Sequence, residues 1–134
     1  MQTINIQPTL SHPVPDIHKV LHSVIEVALT SHDIVVILGG VSVGVFDLAK
    51  EILKKLHVES LFWQVSQKPG KPLFFGRLGE RFVFGLPGNP ASSLTCFYEY
   101  VLPAIRKWMG YKNPFLKKEM GRLSKPFLKK DPRT

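Results

Sequence analysis

Apolar residues recur along this chain with two different periods, and the switch between them outlines the fold. Residues 16–30, DIHKVLHSVIEVALT, put Ile17, Val20, Leu21, Val24, Ile25 and Leu29 on one helical face. Asp16, after Pro15, suits the N-cap of that helix. DIVVIL (33–38) is a continuous β-branched run, the pattern of a central strand buried on both faces. Helical spacing returns in DLAKEILKKL (47–56) through Leu48, Ile52, Leu53 and Leu56. A strand follows at LFWQV (61–65), then the loop SQKPGKP, then LFFGRLGERFVFGL (73–86). The last stretch reads as two strands around Leu78–Gly79–Glu80, a hairpin. A final helix starts with Asn89 as N-cap and Pro90 in the first turn. Pro103 should kink or break it near Val101–Leu102.

This order of elements predicts an α/β fold: a three-layer α/β/α sandwich around a largely parallel sheet. Such a sheet normally opens with a strand and a helix, yet residues 1–15 offer at most the short strand TINIQ. The first strand–helix unit is therefore expected to be missing.

Composition narrows the class. The 134 residues suit one compact domain, and 44% hydrophobic content allows it a core. No apolar run approaches the ~18 residues of a membrane span, and the N-terminus lacks the pattern of a secretory signal. A single cysteine, Cys96, permits no internal disulfide, so a reducing, cytoplasmic setting is expected. The net charge is +8, but eight Lys and Arg against two acids lie after Gly110. A basic tail of this kind is ordinarily a solvated surface, which argues against nucleic acid as the partner.

Three loops could carry chemistry. In ILGGVSVGVFD, Gly39 and Gly40 would let the backbone approach a ligand, Ser42 adds a hydroxyl, and a helix start follows. The stretch matches neither the dinucleotide fingerprint nor a P-loop. Asp47 would serve either as the cap of that helix or as a carboxylate that holds Mg²⁺ at a phosphate. In KPGKP, Lys68 and Lys71 flank a Pro-Gly turn, either as an exposed basic turn or as two point charges for an oxyanion. In LPGNPASS, two prolines bracket Gly88–Asn89 and a second helix start sits beside Ser92 and Ser93. At the C-terminal ends of strands in an open α/β sheet, the three would share one crevice. The five histidines lack metal-ligand spacing, and Cys96 reads as a buried structural thiol.

The three motifs, in this order, resemble the third subdomain of molybdopterin molybdotransferases, the MoeA-type proteins and the E domain of gephyrin. The resemblance covers about residues 16–110. It implies a molybdopterin-binding domain over residues 1–110, truncated at its start. Residues 111–134 would be a basic linker toward a C-terminal β-barrel that the chain lacks. It also implies a role in molybdenum cofactor synthesis: binding of adenylylated molybdopterin and molybdate, Mg²⁺-dependent molybdate insertion, and release of AMP. The alternatives are a MogA-like molybdopterin adenylyltransferase and a non-catalytic binding or scaffold module. Expected partners are a second copy of the chain and a molybdopterin adenylyltransferase, with no membrane. The isolated chain is expected to be inactive.

Carried over by position, Gly39, Gly40, Val41 and Ser42, with Gly44, would cradle the phosphate side of the pterin. Asp47 would hold Mg²⁺, and Asp16 falls where the family has another functional aspartate. Lys68, Lys71 and Ser92 would bind molybdate or phosphate oxygens. Pro87, Gly88, Asn89 and Pro90 would shape the pocket wall. One departure is Gln64, where the family commonly has a basic residue.

Overall fold

The structure, a computed structural model, describes residues 6–39 and 45–126, with residues 45–47 described by their backbone alone. The elements run α1 (His18–Ser31), β1 (Ile34–Leu38), α2 (Val45–Lys55), β2 (Glu59–Trp63), β3 (Phe74–Leu78), β4 (Arg81–Leu86), α3 (Pro90–Cys96), a π-helical turn (Phe97–Val101) and α4 (Leu102–Trp108). The four strands form one sheet in the order β1-β4-β3-β2.

The α/β class is the one expected, but the sheet is mixed rather than largely parallel. Only β1 and β4 pair in parallel, while β2–β3 and β3–β4 are antiparallel. The reason is local: Leu78 pairs with Arg81, so a two-residue turn reverses the chain. Gly79, at φ 56°, takes its first central position, where a II′-type hairpin turn requires glycine.

Helices cover both faces of the sheet, and strand alternation divides the core between them. On one face Val35, Phe74 and Val83 pack with Ile25 and Leu29 of α1 and Ile52 and Leu53 of α2. On the other, Phe84 and Leu86 pack with Cys96, Val101, Leu102 and Ile105. Each fully buried aliphatic or aromatic side chain contributes on the order of 1.5–3 kcal/mol. Alternation thus stabilises two layers at once.

Four sequence expectations need correction. The run at 33–38 is covered on both faces, with Val35 and Ile37 on one side and Ile34 and Val36 on the other. It is an edge strand, however: among the described strands β1 pairs only with β4, and Leu38 is 69% exposed. Strand β2 lies two residues earlier than expected, because Glu59 joins the ladder opposite Arg77 and bonds its guanidinium at 2.7 Å. Gln64, at φ 67°, then ends the strand. Asp16 is not the N-cap of α1. Ile17 holds that position in extended conformation, without a side-chain cap, so Asp16 stands one residue too early. Asp47 is likewise not a cap, since α2 begins at Val45 and places it third in the helix.

The final helix follows the sequence closely. Asn89 accepts the Ser92 amide at 3.1 Å, with Pro90 in the first turn. Pro103 falls in the first turn of α4, which continues the helical run of α3 and the π turn without a break. The irregularity lies just upstream: the π turn, in which the Leu102 amide bonds back to Phe97. Helix α4 ends in a Schellman pair, Gly110 to Lys107 and Tyr111 to Arg106, with Gly110 at φ 82°. Helix α2 ends the same way, Val58 to Leu53 and His57 to Lys54, but with His57 at φ 60°.

Candidate oxyanion site

The mixed sheet decides where the loops go. Strands β1, β2 and β4 all point the same way, because β3 runs against both of its neighbours. The exits of β1, β2 and β4 therefore share one rim, and so does the entry to β3. The segments after Leu38, between Trp63 and Phe74, and after Leu86 all emerge there. Across 39–44, 64–72 and 87–93 there is no Asp or Glu, while Lys68 and Lys71 supply two positive charges.

Contacts draw the segments together. The Gly39 amide bonds to Leu86 O at 3.3 Å, and a β-carbon on Gly88 would stand 3.4 Å from the Cα of Gly39. Thus the two backbones nearly touch. Pro87 is buried, and its carbonyl accepts the Ser93 hydroxyl, fastening the turn to α3. Ser92 is half-buried, whereas Gly88, Asn89 and Pro90 are exposed on the rim.

The lysine loop is built in two tiers. Its base is laddered: the Gln64 amide donates to Leu73 O at 2.8 Å and the Val65 amide to Lys71 O at 3.0 Å. Its tip, 66–70, turns over α3. A β-carbon on Gly70, at φ 101°, would lie 2.6 Å from Cys96 Sγ and 3.5 Å from Ser92 O. Lys68 and Lys71 are both exposed on this loop. Gln64 is exposed at the loop's base, so the neutral residue noted in the sequence stands beside the two lysines in the chain.

Other candidates lie outside the cluster or outside the described residues. Gly40, Val41, Ser42 and Gly44 are among the residues not described, and of Asp47 only the backbone is. Asp16 is exposed, two residues before His18. His18 sits against Glu51 and Lys55, at 3.7 and 3.3 Å, toward the end of α2 remote from Val45. The structure therefore does not bring Asp16 to the rim. Among the described residues, no group of three or more His, Cys, Asp or Glu is arranged to hold a metal ion. Nor does any helix there have the length and apolarity to cross a membrane. An open groove of about 570 Å³ lies between Tyr100, Pro103 and Ala104 on one side and Pro114 and Phe115 on the other.

Comparison with known proteins gives this geometry a family. Residues 2–107 match the family model described as a probable molybdopterin binding domain. The chain belongs to that family. It is 41% identical over 99 residues to a molybdopterin molybdenumtransferase of Haemophilus influenzae, covering 74% of this chain and 24% of the relative. A molybdopterin molybdenumtransferase of Staphylococcus epidermidis is 44% identical over 89 residues, 66% of this chain and 21% of the relative. Among solved structures, the molybdopterin biosynthesis MoeA protein of Pyrococcus horikosii superposes with a TM-score of 0.65 at 34% identity, over 75% of this chain and 24% of that one. The chain thus spans about a quarter of the length of these relatives. In this chain the three loops at the rim carry two lysines and no carboxylate.

Sequence reasoning missed two residues that hold the lysine loop. Gln67 and Tyr100 are bonded to one another there, yet neither is charged or a glycine. Only their contact in the folded chain reveals them. Cys96 was expected to be buried and inert, and it is fully buried. Desolvation pushes its thiol above the ordinary range.

Proposed function

We propose that this chain is the molybdopterin-binding part of a molybdotransferase of molybdenum cofactor biosynthesis. The observation that carries the reading is the meeting of the lysine loop, the Gly39 turn and the Gly88 turn on one sheet rim, within a molybdopterin-binding family. Lys68 and Lys71 bind the oxygens of molybdate or of the ligand's phosphate, with Ser92 as hydroxyl donor. Gly39 and Gly88 keep side chains out of the backbone approach, and Pro87 and Pro90 stiffen the wall. Gly40, Val41, Ser42 and Gly44 complete the cradle in this reading.

Mg²⁺ fits the donor set in one way. The three loops hold no carboxylate, and Asp47 lies in the first turn of the helix that follows the first of them. One protein carboxylate plus ligand phosphates is an arrangement Mg²⁺ commonly accepts. Asp47 would hold the ion, which would supply charge neutralisation at the phosphate during molybdate insertion and AMP release. Because the chain spans about a quarter of its relatives, binding is proposed for the chain itself. Transfer is proposed for a protein that contains it, acting in the cytoplasm alongside a molybdopterin adenylyltransferase. A second copy is the proposed partner at β1, whose outer edge is unpaired among the described strands and open to strand addition.

Isothermal titration with molybdopterin and its adenylylated form tests the reading. Saturable binding that Lys68→Ala and Lys71→Ala each weaken at least tenfold is expected. Equal binding by the wild-type chain and the double variant would remove the lysine loop from the site.

A further inference from the structure

The tip of the lysine loop is held by side chains, and they converge on Gln67. Above the Val65–Lys71 rung, the Gln67 amide nitrogen Nε2 donates to Pro69 O at 2.8 Å. Its Oε1 accepts the Tyr100 hydroxyl at 2.9 Å from the π turn, 33 residues away. One residue on, the Cys96 thiol donates to Gly70 O at 3.4 Å. One side-chain amide therefore joins the carbonyl that lies between Lys68 and Gly70 to a phenol fixed in the helical layer. The π turn matters here, because its extra residue changes which side chains of 97–101 face the sheet. Tyr100 is half-buried and points back at the loop.

From this geometry we infer that Tyr100 and Gln67 form a latch that positions Lys68 and Lys71 for an oxyanion ligand. The inference rests on the proposed oxyanion site and deepens it, by naming two neutral positioning residues that touch no ligand. A lysine ammonium on a wandering loop loses rotamer and backbone freedom when it binds. A loop fixed beforehand has already lost its share, so affinity rises without any new ligand contact. Gln67 suits the task because it donates and accepts at once, and Tyr100 because its ring is anchored while only the hydroxyl reaches the loop.

Two measurements on the full chain test this, and they fail separately. Amide hydrogen exchange without ligand reads the latch alone: Tyr100→Phe should accelerate exchange at the bonded loop amides of Val65 and Gln67 several-fold and leave β4 unchanged. Unchanged exchange at the loop would overturn the latch. Titration with sodium molybdate, followed by amide chemical shifts, reads its effect on binding. Tyr100→Phe and Gln67→Leu should each raise Kd about 3- to 10-fold, the scale of one lost hydrogen bond. The double variant should lose no more than Gln67→Leu alone, which already lacks the bond that Tyr100→Phe removes, and the melting temperature should hold, which a general loosening of the fold would not reproduce. Additive losses, or a molybdate Kd indifferent to Tyr100→Phe, would overturn positioning. A wild-type chain that ignores molybdate would overturn the oxyanion site and the positioning role together. Exchange would still decide whether the latch exists.

Discussion

Gly88 and Gly39 meet almost backbone to backbone: a β-carbon on Gly88 would rest 3.4 Å from the Cα of Gly39. That spacing is ordinary van der Waals contact, and Gly88 is not held at positive φ. Alanine should therefore fit with a melting temperature within about two degrees of wild type. Valine adds atoms beyond the contact and should force the two turns apart. Calorimetric titration with molybdopterin is expected to show binding kept in Gly88→Ala and lost in Gly88→Val. Retention in both would mean that the closeness of the turns has no bearing on the ligand.

Gly70 makes the opposite case. At φ 101°, with Cys96 Sγ 2.6 Å from the place of its missing β-carbon, it tolerates no side chain. Backbone strain and overpacking each cost about 1–3 kcal/mol. Gly70→Ala should lower stability by at least ~2 kcal/mol, read from urea midpoints. Shrinking the sulfur in Gly70→Ala/Cys96→Ala should relieve the contact with Cys96 but leave the strain and the 2.8 Å approach to Gln67 Nε2. The double variant should therefore fall short of the sum of the two single losses.

The buried thiol and phenol predict alkaline sensitivity. Burial raises Cys96, and burial first, then Cys96 and Glu99, raise Tyr100. The folded chain therefore keeps protons that the unfolded chain releases. The contribution is intact below the unfolded values, about 8.5 for Cys and about 10 for Tyr, and is lost as pH rises from them through the raised folded values. Urea midpoints should fall from about pH 8.5 upward. Cys96→Ala should start lower yet fall less steeply at first. An identical slope in both proteins would assign the alkaline loss to other groups.

His57 closes α2 in a left-handed conformation that costs a non-glycine residue about 1–2 kcal/mol. Among the described residues its imidazole makes no hydrogen bond, ion pair or ring contact that would offset this strain. His57→Gly should stabilise the chain by roughly 0.5–1 kcal/mol after the entropy cost of glycine is counted. A thermal melt would register the gain as a few degrees, and a drop would show that the imidazole contributes to packing.

Much of this was legible in the sequence where one residue governs one local decision. Asn89–Pro90 specifies a helix start, and Gly79 a hairpin, without help from distant parts of the chain. The β-branched run at 34–38 announced burial on both faces, and the helices supply it. What it could not announce was how many neighbours the strand would have, because periodicity records side-chain faces and not ladder partners. Asp16 followed the rule for caps, but the chain entered its helix one residue later. The motif lysines stood out by charge, whereas Gln67 and Tyr100 did not. Their link spans 33 residues and exists only once α3 and the π turn have packed over the loop.

The antiparallel course of β3 has an engineering consequence. It sends the Gly79–Glu80 turn to the margin opposite the three loops, with β3 and β4 between them. Strands of five and six residues put that turn about 17 Å from the lysines' end of the sheet. A fluorophore, an affinity handle or a fused partner spliced in there would leave the ligand's approach clear. The molecule thus offers a place to be held while its other margin is left to work.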